Sequence, residues 1–487
     1  MPRPSAPRLA LSIAVAISTP SCGGSSSPPA ATQTGAPVVS YEASLRADGT
    51  LEVVVRDPDG ALAQATIEEG AEVHLLALEV QRVAPAAGES SEAPRRRVDA
   101  RSLPIALPEC AGGCVVRYTL DLQAIARDFQ NPQFGSVLGE DLVMPVTSFL
   151  LRPTGDAPPG RFVLAFQEGS SQPPLAPQRF VSGLAVDAEG RFSADLADLP
   201  QAPYGAFTRS DPISVASGVR VVRLGPEPAL GDAAVHAWVD EAARDVAGYL
   251  GTFDAKPLVL VLVEEGDDVG MGYSLGNGGA SVLVGLGRDA PAAVLERDWV
   301  MTHELLHTSM PSLSSRHNWM EEGFATYAEP VARVKRGRLS EERVFREWQR
   351  AMWQGQPRDD AGLDGTRSWG RLYWGGAGFW FAAELAVHEA TGGAKTLADC
   401  FGAVTRASRG IADRWSVERF LTACDAGLGA PVVRPLYERM AAEPVTLPLD
   451  AMFEQLGVTR GEGGVELTSE APLASCRAAV FGGAKTR

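Results

Sequence analysis

Two histidines one helical turn apart, His303 and His307, open the stretch HELLHTSMPSLSSRHNWMEEGFATY, and two adjacent glutamates, Glu321 and Glu322, follow within it. On a helix, positions i and i+4 project from one face, so both imidazoles can share one ion while Glu304 sits beside them, aimed at whatever that ion binds. The chain has only six histidines, so this pattern arises by chance on the order of once in a few hundred such sequences. A catalytic zinc takes three protein ligands and keeps a fourth position open. His317 does not supply the third: three-histidine sites place it six residues after the second, with glycine at the third, and those positions hold Leu313 and Met310. Of the two glutamates, Glu321 stands three residues after Asn318 and is expected to close a capping box on a helix starting there. Glu322 shares a face with Ala325, Thr326 and Glu329, so it is the expected third ligand. Glu329 is expected behind it, accepting from a ligand histidine. His74, His236 and His388 have no partners at motif spacing.

HELLH followed by WMEEGFATYAE resembles the gluzincin metallopeptidases related to aminopeptidase N, whose third ligand lies in a W-x-x-EGF-type stretch, and Glu322-Gly323-Phe324-Ala325 matches it residue by residue. A second match is Tyr373-Trp374-Gly375-Gly376 ahead of AGFWFAAELA. The family places a tyrosine that assists the transition state at that position, so the resemblance implies this role for Tyr373. Order and spacing are closest to the glycyl-aminopeptidase branch. The likeness runs from about Leu224 to Val458. It implies a thermolysin-like zincin domain, one zinc per chain and a peptide or protein substrate. The ion would acidify a water and polarise the scissile carbonyl; Glu304 would take the water's proton and pass it to the leaving amine, and Tyr373 would donate to the tetrahedral oxyanion. Two departures stand out. Where aminopeptidase relatives carry a glutamate that grips the substrate's free amine, this chain reads GNGGAS, with the acidic loop Glu264 to Asp268 as the alternative anchor. After LPLDAMFEQLGV there is no room for the PDZ module that often follows in that branch. Two further readings are a catalytically silent cell-envelope binding lipoprotein that retains the peptidase fold, and a zinc hydrolase of a non-peptide substrate.

The elements that must position these residues can be read around them. From 37 to 223, short alternating runs such as LEVVVR (51–56), EVHLLALEV (72–80), CVVRYTLDL (114–122), RFVLAF (161–166) and FVSGLAV (180–186) are punctuated by Gly, Pro and Asp, which predicts an antiparallel β domain. In the catalytic domain, 224–445, a helix carries Val235, Trp238, Ala242, Val246 and Leu250 at helical spacing. A buried strand at 257–263 follows, then a glycine-rich loop GMGYSLGNGG, then a strand at 280–286 that would offer a sheet edge to substrate. One helix is expected from Asp289, its N-cap, through HELLH to Pro311. The remainder is mainly helical, with a short mixed tail at 446–487. The fold class is multidomain α+β.

Composition bounds the setting. With 487 residues and 45% hydrophobic side chains, the chain can bury more than one core. A formal charge of −16 argues against nucleic acid or an anionic membrane surface as partner. Arg3 and Arg8 precede the apolar run Leu9 to Ile17, and small residues lead to Cys22, the form of a lipoprotein signal peptide at 1–22 with Cys22 as lipidation site. A Gly/Ser/Pro linker occupies 23–36. Membrane contact is expected only through that anchor, since no later segment has about 18 uninterrupted apolar residues. The setting is extracytoplasmic, lipid-anchored at the cell envelope or otherwise secreted or periplasmic. Cysteine usage agrees with it: Cys110 and Cys114 bracket a tight turn, Cys400 and Cys424 are a second candidate bridge, and Cys476 is left over.

Overall fold

The structure is a computed structural model that describes residues 38–46, 48–83, 94–167, 179–461 and 464–482. The expected signal segment, Cys22 and the linker 23–36 lie outside these residues. Pro37–Arg487 forms one compact unit of mixed α+β architecture.

Its first part is built on a seven-stranded sheet. Most neighbours are antiparallel, but Val38–Leu45 runs parallel to Arg161–Gln167, so the sheet is mixed where pure antiparallel pairing was expected. EVHLLALEV is also divided, with Glu72–His74 forming a short 3₁₀ turn before the strand Leu75–Arg82. Cys110 is bonded to Cys114 at the foot of the strand Cys114–Asp121, and Cys400 to Cys424 between two later helices; Cys476 is free and buried.

The second sheet has five strands, in the order Ile213–Ser214, Arg220–Leu224, Leu258–Glu264, Ala280–Gly287, Val269–Gly276. Its first two strands precede the boundary expected at 223–224, because Arg220–Leu224 pairs in register with Leu258–Leu262 and so belongs to this sheet. The run Leu258–Val263 alternates Leu and Val, and both faces are buried. Its valines pack in the helical core with Trp238, Leu305 and Phe324. Its leucines pack with Val143, Val181, Tyr204 and Ala206 of the first part. A strand covered on both faces reads as an unbroken apolar run.

Two expectations are corrected here. The glycine-rich segment is a strand, Val269–Gly276, antiparallel to Ala280–Gly287 with an irregularity between Val269 and Gly272. It is the sheet edge, and Ala280–Gly287 lies inside. Glycines hide a strand because they remove the alternating side chains that mark one. The single helix expected from Asp289 is two: Ala292–Arg297 and Val300–Ser309. Asp298 interrupts it, accepting from the N–H groups of Val300 (2.9 Å) and Met301 (3.0 Å) and from Trp238 Nε1 (2.9 Å), which makes it the N-terminal cap of the histidine helix. The tail forms the helix Leu449–Gln455, a hairpin and the helix Ala474–Phe481, with Phe481 packed edge-on against Phe345.

Candidate metal centre

The histidine helix, Val300–Ser309, buries Met301, Leu305 and Leu306 in the helical core and turns His303, Glu304 and His307 to the opposite side. Against it lies Asn318–Lys335, which carries Glu322. Nε2 of His303 and Nε2 of His307 are 3.2 Å apart, and Glu322 Oε2 stands 3.5 Å from the first and 3.4 Å from the second. A tetrahedral ion with bonds of about 2.05 Å holds its ligand atoms about 3.3 Å from one another, so this triangle has the dimensions of three corners of a zinc site. Glu322 Oε2 is buried and accepts no hydrogen bond. A buried carboxylate oxygen left without a donor is costly, and a metal ion removes that cost. Burial alone would raise the Glu322 carboxyl, but His307 and His303 hold it far below the usual carboxylate range. Burial likewise disfavours a charged His307, yet Glu322 carries it up to about 9. The donor set fits a divalent metal. Asp57 also lies close to Cys110 and Cys114, but both sulfurs are in the disulfide and the Asp57 carboxylate accepts from the N–H groups of Gly60, Ala61 and Leu62.

Glu304 is 7% exposed. Burial raises its pKa against the pull of His307 and His303, so it can both take and release a proton. Ser274 Oγ lies 2.6 Å from Glu304 Oε2 and 2.9 Å from the Glu304 carbonyl oxygen. The edge strand reaches this close because residue 272 has no side chain: a Cβ there would stand 2.5 Å from Glu304 Cγ and 2.6 Å from Val300 Cγ1. Spacing could have found Ser274, which is two residues beyond Gly272 and so on the same strand face. Composition concealed it.

Tyr373 sits in a π-helical turn, Arg371–Gly375, that runs into the helix Gly376–Thr391. Burial and the facing Glu322 carboxylate raise its phenol well above the usual tyrosine range, so it stays a donor. Its ring is stacked with the His303 ring at 6.1 Å and with Trp369 at 4.8 Å, and Trp299 meets His303 edge-on at 5.4 Å. Trp299 and Trp369 are about half exposed and were not anticipated. The helices carrying Glu322 and Tyr373 touch backbone to backbone at Gly323 and Gly376, where an added Cβ would lie 2.2 Å from Gly376 C and 1.9 Å from Trp319 O respectively. Glycine at both positions is what lets the carboxylate and the phenol share one site.

Two expected roles are different. Glu321 does not cap its own helix: its Oε1 accepts from Leu313 N–H at 2.7 Å, pinning the loop that leaves the histidine helix. Glu329 does not serve a ligand histidine. It pairs with Arg333 at 2.8 Å, and Arg333 also reaches the carbonyl oxygen of Arg297 at 3.3 Å; a buried guanidinium four residues along is a stronger partner than an imidazole N–H. His303 Nδ1 is buried without a hydrogen-bond partner. His317 is held by Asp364 at 3.1 Å. His74 pairs with Asp128 and His388 with Ser475. Glu264 to Asp268 is an exposed turn, and among the described residues no hydrogen bond or ion pair ties it to the metal-centre residues.

The chain matches no protein-family model and no curated protein. Among solved structures it is similar to an aminopeptidase N family protein from Idiomarina loihiensis, with 15% identity, 89% of this chain and 82% of that chain covered, and a TM-score of 0.56. It also aligns with an M1 zinc metallopeptidase from Deinococcus radiodurans at 14% identity, covering 85% of this chain and 94% of that one with a TM-score of 0.45. The first likeness establishes a shared fold.

Proposed function

We propose that this chain is a zinc-dependent peptidase of gluzincin type, with His303, His307 and Glu322 holding one zinc. The observation that carries the reading is the triangle of ligand atoms at 3.2–3.5 Å with Glu304 buried at its side. Zinc bound there would supply Lewis acidity, acidifying water and polarising a carbonyl. Glu304, steadied by Ser274, accepts the water's proton and delivers it to the leaving amine. Tyr373 donates a hydrogen bond to the oxyanion of the tetrahedral carbon. The edge strand Val269–Gly276 pairs with an extended peptide, which requires no free terminus. Since Ser274, and no carboxylate, is what this strand presents beside Glu304, N-terminally blocked peptides are accepted. Motif order and spacing favour the glycyl-aminopeptidase branch. The lipoprotein-like N-terminus and the two disulfides support an extracytoplasmic, lipid-anchored setting. A binding protein without catalysis has no use for a buried base beside the ligands.

The test is Glu304→Gln, assayed on a mixed peptide library with metal analysis alongside. It should keep its zinc and lose turnover by at least a hundredfold. Near-normal turnover with zinc retained would remove Glu304 from the mechanism.

A further inference from the structure

A cavity of about 480 Å³ opens in the seam between the first part of the chain and the five-stranded sheet, walled by Leu184 to Val186, the turn Gly278 to Ala280, the end of the histidine helix at Ser309 and the loop Ser408 to Ala412. Its lining is mainly aliphatic and backbone, with Leu184, Ala185, Val186, Ala255 and Ala412 contributing. Charge enters through Arg220, Lys256, Arg409 and Asp254. Two of these are already engaged: Arg409 Nε donates to Asp413 at 2.7 Å, and Asp254 accepts from Thr252 Oγ1 at 2.6 Å. The other two are not. Among the described residues no hydrogen bond, ion pair or ring contact engages the Arg220 guanidinium or the Lys256 ammonium. Arg220 is half-buried, and burial lowers its pKa with no acid nearby to oppose the shift. Lys256 is held at φ +41°, in the left-handed region that side chains with a Cβ rarely occupy, and its stem lies over Gly218.

In a chain of net charge −16, this mainly apolar cavity is lined by two uncommitted cations. A guanidinium partly withdrawn from water and left unpaired is unfavourable, and an oxyanion is its natural partner. We propose that this cavity binds an amphiphilic anion, a carboxylate or phosphate head group held by Arg220 and Lys256 with its apolar body against Leu184 to Val186 and Ala255. The wall formed by Gly278 to Ala280 closes the end of the edge strand, and Asn277 N–H and Gly278 N–H donate to the carbonyl oxygens of Ile411 and Ala412. The lining includes none of His303, Glu304, His307, Glu322 and Tyr373, so an anion here is separate from the metal centre.

Isothermal titration of the zinc-loaded protein with hexanoate and with hexyl phosphate, against acetate and inorganic phosphate, tests this. At least one hexyl anion should bind ten times more tightly than its bare head group, and whichever binds better identifies the head group. Arg220→Gln and Lys256→Gln should each weaken that binding tenfold or more, with zinc content and peptide turnover unchanged. Affinity that survives both substitutions would place the anion on the metal instead, and no binding of either hexyl anion would equally overturn the proposal.

Discussion

Substituting Gly323 by alanine tests whether the contact between the helices of Glu322 and Tyr373 is what assembles the centre. By helix propensity alone, alanine should stabilise the interior of Asn318–Lys335 by about 0.5–1 kcal/mol. The packing predicts the opposite. The new Cβ would stand 2.2 Å from Gly376 C and 2.4 Å from Gly376 Cα, roughly 1.2 Å short of ordinary contact between carbon atoms, and both are backbone atoms with no rotamer to give. The helices must separate, at a cost of about 1–3 kcal/mol for overpacking. Glu322 is the adjacent residue and Tyr373 is one turn from Gly376, so the separation also displaces ligand and donor. A misplacement near 1 Å can cost on the order of a hundredfold in rate, about 2.7 kcal/mol. Gly248→Ala is the control: it is also helical, but its Cβ would meet nothing closer than Arg336 Cδ at 3.5 Å. Denaturant unfolding, zinc content and kcat/KM for one peptide should show Gly248→Ala slightly stabilised and fully active, and Gly323→Ala destabilised with kcat/KM down about a hundredfold. A Gly323→Ala protein as stable and active as the parent would refute the close-contact argument.

Metal analysis separates the two adjacent glutamates: Glu322→Gln should lose most of its zinc, whereas Glu321→Gln should keep it, because Glu321 only anchors the Leu313 N–H and an amide oxygen can still accept. Glu384, 3% exposed and bonded by the Tyr327 hydroxyl at 2.8 Å, is raised by burial to about 7, against about 4.3 in an unfolded chain. Between those values the folded state holds a proton that the unfolded state has released. Its contribution is therefore full below about pH 4 and is lost as pH rises towards 7. Glu384→Gln should flatten the stability profile over that window by up to about 4 kcal/mol, and a variant with the parent's slope would contradict the burial argument. For substrate choice, acetylating the N-terminus of a cleaved peptide should change kcat/KM by less than about a hundredfold, a span of about 2.7 kcal/mol; a larger loss would indicate a carboxylate–amine contact and an aminopeptidase.

What the sequence determined by itself was local. Four residues of helix bring His303 and His307 onto one face whatever surrounds them, and the spacing of Glu322 from Ala325, Thr326 and Glu329 depends only on helical period. Leu258–Val263 announced a buried strand because its alternation of Leu and Val is apolar on both sides. The expectations that changed all depended on which groups packing brings together. Whether the helix breaks at Asp298 depends on Trp238, sixty residues earlier, which holds the carboxylate in place to cap. Glu321 found Leu313 N–H and Glu329 found Arg333, because a buried carboxylate goes to the strongest donor that packing brings near, and sequence spacing does not rank donors across a fold. Val269–Gly276 is a strand only because Ala280–Gly287 pairs with it and the histidine helix lies against Gly272. Glycine carries no periodic signal, so that edge, and with it Ser274 beside Glu304, existed only once the chain had folded.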